Sequence, residues 1–219
     1  MELRQIDRGV FVMEAPQRYM GLEIGARMTA LQLEGGVLVH SPIGVDPERI
    51  KHLGELKWIV APNLLHHLYV GPWLGEGRSA WGVKGLPQKR SDLTFDAVFE
   101  GVSSPFGPEV EVRALECFPT SNEAVLFHRP SGTLIVTDLV FNLPATAPLK
   151  SRLAFRLLGG YPGCRTTVLE RLGMDRSLAR EEIGALLELP FDRIILAHGS
   201  IVESGGRDAL ARAFSWLGL

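Results

Sequence analysis

Cysteine is scarce in this chain: two of 219 residues, Cys117 and Cys164, far apart and neither in a C-x-x-C pattern. That excludes a disulfide framework and a thiolate zinc cluster as the basis of the fold, and it leads to the expectation of a reducing, cytoplasmic setting. Long apolar runs are missing as well. No window approaches the roughly 18 apolar residues of a spanning helix, and the opening MELRQIDRGVFVMEAP mixes charges and lacks a secretory apolar stretch. The expectation is a soluble, unprocessed protein with no membrane partner. Nor does either charge predominate: 23 basic residues oppose 25 acidic ones, and the basic residues are dispersed along the chain. A nucleic-acid or anionic-membrane footprint is therefore not expected, and a small-molecule substrate is the expected partner. Oligomeric state is not legible.

What is present suits a sizeable core, since 46% of residues are hydrophobic and 22% charged. At this length a single domain spanning residues 1–219 is the expectation. Short strands read at 10–13, 28–33 and 37–40, with Gly35-Gly36 turning between the last two. Asp46 followed by Pro47 starts a short helix that ends near Leu53 and Gly54. The apolar run 57–61 is a further strand. Residues 72–90, rich in Gly, Trp and Pro, read as helical or irregular with Trp73 and Trp81 turned inward. Strands return at 97–100, 110–115, 124–128 and 134–136, and 150–158 reads as an amphipathic helix in a segment suited to a lid or interface. Helix 177–188, strand 193–197 and helix 207–216 follow. The pattern alone indicates mixed α and β.

Three polar spots each follow an apolar strand: His66-His67 after KWIVA, Asp138 after LIVT and His198 after RIILA. Strands sharing a sheet and a direction bring the loops at their C-terminal ends to one edge, where distant side chains converge. Imidazole and carboxylate are the usual nitrogen and oxygen ligands of zinc and ferrous iron. Plainer readings stand beside this one. Neighbouring side chains on a regular strand point to opposite faces, so His66 and His67 converge only where the backbone turns. Asp138 could cap a loop, and His198 could bond locally at its strand end. His40 and Asn63 are candidates for lining the pocket, with a packed role open for the first and a turn amide for the second.

These segments resemble the metallo-β-lactamase superfamily. LIVTDLVF is similar to its strand with a metal-bridging aspartate, here Asp138, with Thr137 in place of a glycine. IILAHGS resembles its C-terminal Gly-His-Gly strand end, with His198 as the last ligand. The signature H-x-H-x-D-H falls on Pro62, Leu64, His66 and His67, and the later Gly-His-Thr loop falls on Phe118-Pro119-Thr120. The resemblance, over about residues 31–199, implies an α+β fold, a four-layer αββα sandwich. It also implies that all three first-metal positions, Pro62, Leu64 and Pro119, have lost their donors, while the second-metal set His66, His67, Asp138 and His198 keeps four. The expected function is a metal-dependent hydrolase with one divalent ion, zinc ahead of iron. The alternative is a catalytically inactive binding or interaction module on the same fold. The strings FHRPSGTLIVTDLVFN and PNLLHHLY also resemble an uncharacterised branch of that superfamily.

Overall fold

A computed structural model describes all 219 residues. One sheet comprises β1 (Leu3–Asp7), β2 (Val10–Ala15), β5 (Ala26–Leu33), β6 (Gly36–His40), β7 (Leu56–Val60), β8 (Ser79–Gly82) and β9 (Ala97–Val98), hydrogen-bonded in that order. A second sheet is ordered β10 (Val102–Ser103), β11 (Val110–Ala114), β12 (Ala124–His128), β13 (Thr133–Ile135) and β14 (Arg193–Ile195). A hairpin, β3 (Arg18–Tyr19) with β4 (Leu22–Glu23), stands apart between β2 and β5. The helices are α1 (Leu86–Lys89), α2 (Leu149–Leu157), α3 (Val168–Gly173), α4 (Arg176–Leu187) and α5 (Gly206–Ala213).

Alternation along the second sheet explains the layering. Val110, Val112, Ala124, Leu126, Ile135 and Ile195 join the core shared with the first sheet, while Val125, Phe127, Leu134 and Ile194 face a second core with Ile183, Leu186 and Leu210 of α4 and α5. The 3-10 segment Pro47–Leu53 and α1 contribute Ile50, Leu53 and Leu86 to the core of the first sheet. The result is the expected four-layer α+β sandwich. Asp46 caps the 3-10 segment by accepting from Glu48 N–H at 2.9 Å, so the expected helix is present in a tighter form. Trp73 is fully buried and donates to the Ile43 carbonyl at 3.1 Å. Trp81 is half-buried, with its ring centroid 5.3 Å from those of Phe99 and Phe106. Trp81 belongs to a strand, β8, inside the segment expected to be helical or irregular. No helix is long and apolar enough to cross a membrane.

Parallel pairing positions the loops. β6, β7 and β8 run parallel, as do β13 and β14, so each connection between them crosses over and each leaves from the same sheet edge. In the second sheet Ile135 is registered against Ile195. Asp138 and His198 each lie three residues beyond that pair, which brings them out side by side. The loop leaving β7 is held to the second sheet by Ala124 N–H donating to the Pro62 carbonyl at 2.7 Å and Leu64 N–H donating to the Ser121 carbonyl at 2.8 Å.

Candidate metal centre

Asn63, wholly buried, organises the loop after β7. Its Oδ1 accepts from the N–H groups of Leu65 at 2.9 Å and His66 at 2.7 Å, turning the backbone in the way an Asx turn does. Its amide nitrogen donates to Thr137 Oγ1 at 2.9 Å and to Asp138 Oδ2 at 2.7 Å. One side chain thus fixes both the direction of His66 and the position of the carboxylate opposite it. Asp138 is 7% exposed. Its own N–H and that of Thr137 donate to the two oxygens of buried Glu123, at 2.9 and 2.5 Å.

His198 Nδ1 lies 2.6 Å from the Gly25 carbonyl, which can only accept. Nδ1 therefore carries the proton, and in the neutral ring the lone pair is on Nε2. His66 Nδ1 lies 2.8 Å from Ser41 Oγ, leaving its Nε2 to face inward. The two Nε2 atoms are 3.1 Å apart, and each is 3.4 Å from an oxygen of Asp138. If Ser41 donates to His66 Nδ1, the proton sits on His66 Nε2 and the 3.1 Å contact is an N–H···N hydrogen bond to His198; if Ser41 accepts, both Nε2 lone pairs and the carboxylate face one another, an arrangement that a cation among them relieves. Burial would raise the Asp138 carboxyl, but the charge of His66 and hydrogen bonds from His198 and His66 outweigh it and hold it well below the usual carboxylate range. Zinc bound tetrahedrally at ~2.0–2.1 Å places its ligand atoms about 3.3–3.4 Å apart. The two Nε2 atoms, 3.1 Å apart, suit two corners of such a shell, and Asp138 turns one carboxylate oxygen toward each ring, so the set fits a divalent ion.

The surroundings keep His198 in place. Its ring stacks on Phe141, with centroids 6.0 Å apart and planes inclined at 14°. Buried Arg27 donates to the carbonyls on either side of it, those of Leu196 and Gly199, and pairs with Glu14 at 2.7 Å. Gly199 has φ +98°, and a Cβ there would sit 2.2 Å from the Asn142 carbonyl oxygen, so only glycine fits.

No protein-family model matches the chain, and no curated protein does. Solved structures do. The metallo-β-lactamase from Pontibacter korlensis matches with a TM-score of 0.70 over 99% of this chain and 98% of its own, at 15% identity. The fold is that of the metallo-β-lactamases. FIM-1 from Pseudomonas aeruginosa, in its mono-zinc form, gives 0.69 over 99% of this chain and 96% of its own at 12% identity. The enzyme from Hirschia baltica gives 0.68 over 99% and 96% at 10%.

On this metallo-β-lactamase fold the histidine doublet splits. His66 joins Asp138 and His198, with donor atoms all within 4.8 Å. His67 is not in that group, and this departs from the four-ligand set expected from the sequence. Its Nδ1 lies 3.0 Å from Arg90 Nη1, and its carbonyl accepts from the same nitrogen at 2.9 Å. A guanidinium only donates, so Nδ1 is the acceptor and the proton sits on Nε2, which leaves neither ring nitrogen free to coordinate. Burial, with the charges of Lys89 and Arg90, lowers the His67 pKa. Asn63 is the turn amide rather than a ligand, since both lone-pair directions of its oxygen are committed to backbone N–H groups.

His40 is buried at 1% exposure, and its Nε2 has no partner. Burial, reinforced by the charge of His66, lowers its pKa to about 3. Because the folded value lies below the unfolded one, its contribution to stability is present above about pH 6.5 and is lost as pH falls toward 3. Unfolding free energy should drop by about 2 kcal/mol between neutral pH and pH 5. Denaturant titration across that range checks this, with His40→Phe flattening the slope.

Three contributors had no signal in the sequence read singly: Ser41, the Gly25 carbonyl and Arg90. Glu123 had a faint one, as the acidic residue opening the apolar strand AVLFH; burial and the charge of Asp138 push its pKa up to about 7. A cavity of about 990 Å³ borders the site, lined among others by Arg18, Gly25, Arg27, Leu143, Gly199 and Ser200. It touches the residues flanking His198, but none of the three donors lines it.

Proposed function

We propose that this chain is a metal-dependent hydrolase of small molecules, formed as one domain, with a single divalent ion at the position of the superfamily's second metal. The observation supporting the reading is the convergence of His66 Nε2, His198 Nε2 and Asp138: the two nitrogens are 3.1 Å apart and each lies 3.4 Å from a different oxygen of the carboxylate, a cluster that one ion can draw together. The donor set of two imidazoles and a carboxylate suits zinc first and ferrous iron second. Such an ion supplies Lewis acidity, polarising a carbonyl or phosphoryl oxygen and bringing the pKa of water toward about 7. The rest is the work of this chain's residues. Gly25 and Ser41 fix the ring orientations, Asn63 holds Asp138 against them, and Phe141 shields one face of His198 from water. Cys117 and Cys164, both free, suit a cytoplasmic setting. The loss of donors at Pro62, Leu64 and Pro119 makes the chain a degenerate branch of the superfamily.

The second reading, an inactive binding module, draws support from those same three positions and from the cavity that bypasses the donors. Screening generic esters and phosphodiesters separates the two. The hydrolase reading expects turnover that a chelator abolishes and added zinc restores. Bound metal without turnover of any ester or phosphodiester favours the module.

A further inference from the structure

Helix α2 carries an apolar stripe that nothing in the chain covers. Leu149, Leu153 and Leu157, four residues apart, lie on one side and are 62%, 52% and 87% exposed. Ser151 and Phe155, on the opposite side, are buried. A surface helix normally shows water its polar face and buries its apolar one; here a leucine stripe remains outside as well. The hairpin β3–β4 extends the same surface. Leu22 and Ile24 pack with Phe155, and a Cβ at Gly21 would lie 3.8 Å from Lys150 Nζ. The tip of the hairpin holds Tyr19 and Met20, both exposed. At the far end, Val168 N–H donates to the Leu158 carbonyl at 2.8 Å, tying α2 to α3, which exposes Leu169 and Leu172.

Every charged side chain of α2 itself is basic, and the acidic neighbours, Glu23 of the hairpin and Glu170 of α3, are engaged with Arg18 and with Thr167. With 3.6 residues per turn, Lys150 falls on one flank of the leucines and Arg152 and Arg156 on the other. From Leu139 to Leu169 the chain has Lys150, Arg152, Arg156 and Arg165 and no acidic residue, although its net charge is −2. We propose that α2 and the hairpin tip form a peripheral docking surface for an anionic phospholipid bilayer. The leucines enter the boundary between headgroups and acyl chains, and the lysine and arginines reach lipid phosphates on either side. Basic residues that are dispersed in the linear sequence become a flank only when the helix forms. A second copy of the chain would set these cations against their own kind. An acidic protein would have to offer a groove for protruding leucines, whereas a fluid bilayer needs none.

Sedimentation of the full chain with vesicles tests this, using phosphatidylcholine alone and phosphatidylcholine mixed with phosphatidylglycerol. Binding to the anionic vesicles should be at least about tenfold tighter than to the neutral ones, and should weaken as salt is raised. Leu153→Glu with Leu157→Glu should cut it by about tenfold or more. Lys150→Gln with Arg156→Gln should weaken it on anionic vesicles only. Thermal unfolding shows whether the double leucine variant folds; if it does not, Leu157→Glu alone, at the most exposed of the three, repeats the test. No sedimentation with anionic vesicles, or binding indifferent to the leucine changes, overturns the proposal. So does a wild-type dimer that these changes convert to a monomer, since the stripe would then be an interface between copies.

Discussion

His198→Ala should strip the protein of its divalent ion, while His67→Ala should leave metal content near that of the parent. The contrast follows from geometry, because the two histidines have equal standing in the sequence. His198 presents an unprotonated Nε2 to His66 and Asp138 because Gly25 holds the proton on the other nitrogen. Removing it takes one corner from a three-donor site and abolishes the second-sheet pair. Since even partners behind a ligand are worth about 10–100-fold in affinity, loss of the ligand itself should cost more than about 100-fold. His67 spends its lone pair on Arg90. Elemental analysis of protein purified without added metal reads both outcomes. Equal loss in the two variants would show that His67 leaves Arg90 and coordinates.

Asn63→Ala should damage both stability and metal retention. Four hydrogen bonds end on this wholly buried side chain, two from backbone N–H groups and two to Thr137 and Asp138. Truncation leaves those buried groups without partners, at about 1–3 kcal/mol each where water cannot replace the lost bond. A net loss of about 3–5 kcal/mol is expected, a fall of roughly 6–20 °C in melting temperature for a chain of this size. The same change frees His66 to swing with its neighbour, so metal affinity should fall by about 10–100-fold. Calorimetry of the metal-free protein isolates the first effect, and competition with a chromogenic chelator measures the second. A variant that melts near the parent temperature would show that water fills the place of the amide.

The β-strands of the second sheet were legible because their apolar residues alternate, as in VEVRA, or run unbroken to a polar residue at the strand end, as in AVLFH and RIILAH. The edge strand LRQID escaped because one polar face and a short length leave little period to detect. The hairpin at Arg18–Glu23 escaped for a similar reason, with two residues in each strand. Helix α2 was legible as amphipathic, but the sequence could not tell which of its faces the fold would cover. At the site, the candidate histidines and aspartate could be picked out because each follows an apolar strand. Which histidine of the doublet points inward could not. That depends on Asn63 bending the loop and on Arg90, 23 residues further on, arriving to bind the other ring. Neither contact leaves a local trace in APNLLHHLYVG.

The proposed function stands or falls on one divalent ion among His66, Asp138 and His198. Crystals of protein purified without chelator, measured on both sides of the zinc absorption edge, test it most directly. A single anomalous peak is expected about 2.0–2.2 Å from both Nε2 atoms and from a carboxylate oxygen of Asp138, with His67 still on Arg90. A site holding no peak at any metal edge, with a proton bridging His66 and His198 instead, would contradict it.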